Sequence, residues 1–336
     1  MRRWLIVIAA VLLVGGAAAY LYAGLQVYDQ LSAVSGVCHP QDASDTPESF
    51  TVEGLSPAEV EPYAMPAPRD VEFPSRDGRV PELVLRGWWI PGKDEAGPTV
   101  ILVHGRDSCR RDENVLLPAG MLHRNGFGVL LMDQRDHGDS DDEDLRFAGG
   151  SEEYLDVLGA WDWLVAQGVP EERIGILGMS FGAATTVIAG GDEPRVEAVW
   201  EDSAFGDIST AMQEYLVFSG YPAWLEPAAV LMARLTSGDD LTAHSPLGAM
   251  PAYEGRPIAI AHGTDDGTIL VSHAEALHAA AEDNGVDIRD YWLVDGSGHT
   301  RAVVDERDAY EPRLVRFFTE TLGAPLTTGR GAVAAP

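Results

Sequence analysis

The chain is predicted to fold as a doubly wound α/β sheet of about eight mostly parallel strands, flanked by helices and topped by a helical cap. Three observations predict it. Short, nearly continuous apolar runs recur at residues 99–103, 128–132, 174–177, 196–200, 258–261 and 291–294, as expected of strands buried on both faces. Helix-like stretches alternate with them, most clearly at 154–165, 180–189, 272–282 and 312–322. Finally, residues 204–256 break the rhythm: they hold aromatic-rich helical pieces and no buried strand, which suits an insertion over the strand ends.

The elements follow in chain order. Met1-Arg2-Arg3 precedes an uncharged segment, 4–25, long enough to cross about 30 Å of hydrocarbon as a helix. Arginines before it and an acidic chain after it predict an inside amino terminus and an exported body. Its length favours an uncleaved signal anchor over residues 1–25. The Gly15-Gly16 break and Ala17-Ala18-Ala19 leave a cleaved signal peptide, and hence a secreted protein, as the alternative. Residues 26–69 are acidic and contain prolines, and read as a linker or an arm laid over the domain. The main domain is expected at 70–323, with the cap at 204–256. It begins with two strand signals, Val71-Glu72-Phe73 and the run 83–90, which the turn-rich Ser75-Arg76-Asp77-Gly78 joins into an antiparallel pair. The small, polar residues 324–336 suggest a disordered tail.

Charge narrows the partners. With 53 acidic and 23 basic side chains in 336 residues the net charge is −30, which disfavours nucleic acid and anionic headgroups. The bland account of that charge is solubility; the sharper one is tolerance of high salt, where self-repulsion is screened. Membrane contact is expected through the amino-terminal helix alone. An exported body would place Cys38 and Cys109 in an oxidising setting, where a bridge would tie the arm to the loop after Val103; two unpaired thiols are the alternative. The histidines lack a metal-ligating spacing, and no metal or cofactor is implied.

The chemistry centres on Gly178-Met179-Ser180-Phe181-Gly182, where an apolar run ends and a small-residue helix begins. A serine on such a strand-to-helix turn stands free, and glycines two positions away on either side remove clashing side chains. Its hydroxyl needs a base to take the proton and an acid to orient that base, in the chain order Ser, acid, His. The chain supplies Ser180, an acidic loop with Asp265 and Asp266 after the 258–261 strand, and His299 after the 291–294 strand. Parallel strands bring their carboxyl ends to one edge, so all three candidates share it.

Five signatures in order carry a family resemblance: His104-Gly105, the segment from Asp133-Gln134-Arg135-Asp136-His137 to Gly138-Asp139-Ser140, the serine turn, His262-Gly263-Thr264-Asp265-Asp266-Gly267, and Gly298-His299. Over residues 71–322 the chain resembles the α/β-hydrolases, and within them is similar to the membrane-anchored, Bem46-like bacterial hydrolases. The resemblance implies Ser180 as nucleophile, His299 as general base and Asp266, rather than Asp265, as the acid. Some relatives place the acid after the sixth strand, where Glu201 and Asp202 stand. An oxyanion hole is implied at the backbone N–H groups of Arg106 and Phe181, with His104 and His137 in bracing roles. Asp136 stands where the family usually has glycine. The expected function is therefore an exported, membrane-tethered serine hydrolase, carboxylesterase-like, cleaving an ester, thioester or amide of a small-molecule substrate with an apolar acyl group. A peptidase or acyltransferase of the same fold is the alternative among enzymes, and a catalytically silent binding protein the alternative outside them.

Overall fold

A computed structural model describes residues 2–38 and 41–325. Eight strands, β1 (Arg69–Pro74), β2 (Val84–Ile90), β3 (Thr99–Val103), β4 (Gly128–Met132), β5 (Ile174–Met179), β6 (Ala198–Asp202), β7 (Pro257–Gly263) and β8 (Asp287–Val294), form one sheet in the order β1-β2-β4-β3-β5-β6-β7-β8. β1 and β2 are an antiparallel pair, and β2 is antiparallel to β4; every pairing from β4 to β8 is parallel. The fold class is thus the one expected, with the parallel strands buried along their whole length from β3 to β6.

The helices are α1 (Arg2–Ser32), α2 (Pro57–Val60), α3 (Glu113–Arg124), α4 (Tyr154–Ala166), α5 (Phe181–Asp192), α6 (Ile208–Phe218), α7 (Glu226–Thr236), α8 (Pro246–Ala249), α9 (Ser272–Asp283), α10 (Ala302–Asp305) and α11 (Arg307–Leu322). Two apolar clusters fill the two faces of the sheet. One packs α4, α5 and α9 with the cap; the other packs α3 and α11 with the arm. Alternation along each parallel strand feeds both: Ile101 and Val103 point to the first, Val100 and Leu102 to the second.

Several boundaries differ from the sequence expectation. β6 begins at Ala198 and runs to Asp202, because the ladder to β5 continues through Met179 and Asp202. α11 starts at Arg307, with Pro312 inside it. α3 gave no clear sequence signal, since Pro118 interrupts it, yet Asp112 caps it by accepting from Asn114 N. The segment 204–256 contains α6, α7 and α8 and no strand of the sheet, as a cap should.

The amino-terminal helix does two things in turn. Residues 2–19 are exposed on every side, whereas from Tyr20 onward α1 packs on the cap. A Cβ added at Gly24 would lie 2.5 Å from Ala228 Cβ, so this glycine permits close approach of α1 to α7. Tyr20 stacks on Trp224 at 5.6 Å, and the buried Tyr28 hydroxyl donates to Asp239 at 2.6 Å. α1 continues as helix to Ser32, past the uncharged stretch that ends near Leu25 in the sequence expectation. The arm after it lies over the domain and buries Phe50, Val52, Val60, Tyr63 and Met65. Cys38 and Cys109 form a disulfide, with their Cα atoms 5.3 Å apart. The tail expected to be disordered lies, from residue 326, outside the described residues.

Candidate active site

Ser180 sits between β5 and α5 with φ 56° and ψ −121°, a conformation that L-residues avoid. The two flanking glycines make it tolerable. A Cβ at Gly178 would fall 2.3 Å from Gly182 O, and one at Gly182 would fall 2.3 Å from His104 O. Neither position has room for a methyl group. Ser180 N donates to Asp202 O at 2.8 Å, fastening the turn to the end of β6.

His299, in the loop after β8, brings Nε2 to 2.7 Å from Ser180 Oγ. Its Nδ1 lies 2.7 Å from Asp266 Oδ2. Asp266 is buried in the loop after β7 and Asp265 beside it is exposed, so the structure brings together Ser180, His299 and Asp266. Asp266 Oδ1 accepts from Thr268 N and Ile269 N at 2.8 and 2.9 Å, which locks its carboxylate. Burial alone would raise its pKa, but hydrogen bonds from His262 and His299 and the charge of His299 hold it well below the usual carboxylate range. It therefore stays ionised and acceptor-only toward His299 Nδ1–H. That fixes the tautomer in which Nε2 faces the serine as a base.

The alternative acids turn elsewhere. Glu201 Oε2 accepts from Ala204 N, and Asp202 accepts from the hydroxyls of Ser203 and Tyr310. Burial pushes the Glu201 carboxyl up to about 8. His262 is pushed down by burial but raised overall, chiefly by its hydrogen bond to Asp266.

The loop expected to carry one oxyanion donor follows β3. A Cβ on Gly105 would approach Ser180 Cβ to 3.3 Å, so the backbone leading into Arg106 passes against the serine. The Arg106 side chain lies over the Phe147 ring and reaches the arm, where Nη2 donates to Ala33 O at 2.9 Å. Phe181 is the first residue of α5, and its N–H has no intrahelical acceptor. His104 braces this loop. It is fully buried, burial pulls its pKa down to about 3, and as a neutral ring it accepts from Gln134 N through Nε2 while Nδ1 faces Gly105 O at 2.7 Å. His137 similarly meets Arg135 O and Asp107 N.

Asp136 has an explanation. Its φ is 61°, which accounts for the glycine expected there, and its Oδ1 accepts from the N–H groups of Glu143, Asp144 and Leu145. Three backbone donors offset the cost of the left-handed conformation.

Two cavities meet at Ser180. One, of about 210 Å³, is largely apolar, with Phe147, Phe181, Phe205, Ile208 and Met212 in its wall. The other, of about 340 Å³, is polar and includes Arg106, Asp107, Asn114 and His299. The larger cavity in the cap, about 600 Å³, does not reach Ser180 itself but shares Tyr215 and Thr268 with the apolar one. Tyr28, Leu31 and Ser32 of α1 also line the apolar cavity. These contributions from the amino-terminal helix escape sequence reasoning, because nothing local marks a contact made across about 150 residues.

The arrangement has known relatives. A fungal polyketide transferase of Aspergillus fumigatus is 37% identical over 136 residues, which is 38% of this chain and 42% of that protein. A thiohydrolase of Aspergillus aculeatus is 30% identical over 133 residues, 39% of each chain. The chain thus spans about two fifths of the length of these curated relatives. Among solved structures, an esterase of Pyrococcus furiosus superposes with a TM-score of 0.61 at 23% identity, covering 82% of this chain and 99% of that one. The acylaminoacyl peptidase of Pyrococcus horikoshii superposes with a TM-score of 0.56 at 19% identity, covering 79% and 42%. Both share the α/β-hydrolase fold. The model of the prolyl oligopeptidase family matches residues 119–325, a stretch that contains Ser180, Asp266 and His299. Matched over more than half its length, this chain belongs to the prolyl oligopeptidase family, within the α/β-hydrolase fold.

Proposed function

We propose that the protein is an exported, membrane-tethered serine hydrolase that cleaves an ester, thioester or amide through an acyl-enzyme. One observation carries this: the unbroken chain of 2.7 Å contacts from Ser180 Oγ through His299 to Asp266, at the mouth of an apolar cavity. In the reaction His299 Nε2 takes the Ser180 proton as Oγ bonds to the substrate carbonyl carbon. The backbone N–H groups of Phe181 and Arg106 hold the oxyanion, each contributing about 3 kcal/mol. Collapse of the tetrahedral state breaks the bond to the leaving group, which receives the proton from His299. Water, deprotonated by the same imidazole, then attacks the acyl-serine and releases the carboxylic acid and free Ser180. The apolar cavity suits the acyl part and the polar cavity suits the leaving group.

The tether is argued from α1. Its exposed part is long and apolar enough for a membrane span and equally for a signal sequence. The Cys38–Cys109 bridge supports an oxidising, exported setting. The family match and the polar leaving-group side favour peptidase activity as the second reading, while the fungal transferase and thiohydrolase favour acyl transfer or thioester hydrolysis. A fluorophosphonate probe is expected to label the wild type and neither Ser180→Ala nor His299→Ala, and each variant to lose on the order of 10⁶ in turnover. Folded wild-type protein that resists the probe would favour the silent binding protein instead. p-Nitrophenyl esters of increasing chain length, run beside aminoacyl-anilides, separate esterase from peptidase.

A further inference from the structure

The cap has an uncharged tip. From Tyr215 to Leu225 no residue carries charge, in a chain where 23% of residues do. Within it Val217, Phe218, Tyr221 and Trp224 are exposed, Phe218 to 84%. Such a cluster of exposed aromatics marks a surface made to meet something apolar. The neighbour is on the page. Trp224 stacks on Tyr20, where α1 changes from fully exposed to packed on the cap. The 18 exposed residues, 2–19, rise about 27 Å as a helix, close to the thickness of bilayer hydrocarbon. Arg2, Arg3 and Trp4 then mark one interface, and Tyr20, Tyr22 and Trp224 the other. With residues 2–19 spanning a bilayer, the cap tip would lie level with the membrane surface.

A path leads from there to the nucleophile. The cavity of about 600 Å³ opens among Val217, Phe218, Ala223 and Leu270, with Gln213 and Glu214 also in its wall, and shares Tyr215 and Thr268 with the apolar cavity that holds Ser180. α1 lines the inner cavity with Tyr28, Leu31 and Ser32, about 12–18 Å along the helix from Tyr20. We infer that the substrate is a long-chain acyl lipid drawn from the bilayer, its chain lying in the groove from the cap tip to Ser180, with α1 as one wall of the acyl site. This rests on the serine-hydrolase, membrane-tethered reading above. An acidic protein repelled by anionic headgroups still reaches the bilayer this way, because the surface it presents is neutral. Cleavage after Ala19 would leave residues 20–32 in place, so the wall survives removal of the span.

The test uses the full chain reconstituted in phosphatidylcholine vesicles doped with a long-chain monoacylglycerol, with water-soluble p-nitrophenyl butyrate assayed in the same sample. The variant Tyr221→Glu/Trp224→Glu places two charges on the exposed tip, at residues that line neither cavity. Its ratio of monoacylglycerol to butyrate turnover is expected to fall at least tenfold. Fluorophosphonate labelling at the wild-type rate certifies its site, and Tyr221→Ser replaces it if labelling is lost. An unchanged ratio, or a wild type that cleaves the butyrate and leaves the monoacylglycerol intact, overturns the inference while the serine-hydrolase reading stands. A wild type that neither labels nor turns over either ester overturns both.

Discussion

Apart from Asp136 and Leu145, the described residues other than glycine with left-handed backbone gather around Ser180. Ser180, Asp107, Ser203 and Thr300 have φ of 56°, 54°, 65° and 54°, and Thr300 is β-branched, for which this conformation is costly. Each lies in a loop at a strand end, and Thr300 N donates to Ser203 Oγ, so the strained loops brace one another. Beneath them stands Glu201, wholly buried beside Asp202 and His262, with Oε1 lacking a hydrogen-bond partner. Its folded pKa, about 8, exceeds the unfolded value near 4.3. A raised carboxyl binds its proton more tightly in the folded state, so its stabilising contribution is complete below about pH 4.3 and disappears as pH rises through 8. Glu201→Gln keeps the neutral form at every pH. The melting temperature of the variant relative to wild type is therefore expected to climb by roughly 2–5 °C between pH 5 and pH 8.5. Parallel melting curves for the two proteins would refute this.

At the scale of elements, the turn between β5 and α5 is held by contact rather than by propensity. Gly182 lies against the carbonyls of Val103 and His104 at the end of β3, and a Cβ would stand 2.5 and 2.3 Å from them. Gly182→Ala must push α5 away from β3 or twist the oxyanion loop. A loss of about 1–3 kcal/mol is expected in urea unfolding, together with weakened fluorophosphonate labelling, because Arg106 and Phe181 sit on the two elements forced apart. Wild-type stability in this variant would mean that the turn is looser than its geometry implies. α1 and α7 pack by the same rule, Gly24 lying against Ala228. That close approach makes the amino-terminal helix a structural part of the cap and of the cavity.

Across the whole molecule, the amino-terminal segment is clamped at two points. Tyr28 and Gly24 hold α1 to the cap, and the Cys38–Cys109 bridge, 71 residues apart in sequence, holds the arm to the oxyanion loop. Closing a loop of that length removes about 4 kcal/mol of unfolded-state freedom on the chain-entropy model. Cys38→Ser/Cys109→Ser is accordingly expected to lower the unfolding free energy by roughly 2–4 kcal/mol. It should also slow labelling of Ser180, since Arg106 and Asp107 take hydrogen-bonded support from Ala33 and Ser35 of the arm. Equal mobility of wild type on reducing and non-reducing gels, with two titratable thiols in denaturant, would show that the bridge does not form.

The parallel sheet was legible in the sequence because strands buried on both faces must be apolar throughout, and β3 and β4 begin and end where their apolar runs do. The meeting of the three candidate side chains was legible for a related reason: parallel strands bring their carboxyl ends to one edge, so Ser180, Asp266 and His299 could be placed near one another from strand order and loop position. The family motif selected Asp266 over Asp265, and burial of the one beside exposure of the other supplies the physical reason. α3 was not legible, because Pro118 hides a helix that capping and core contacts sustain. Only the tertiary structure could decide what α1 does after Ala19. An apolar helix reads identically whether it meets lipid or protein. Which side chains wall the apolar cavity depends on the fit of Gly24 against Ala228, a contact spanning about two hundred residues that no local pattern encodes.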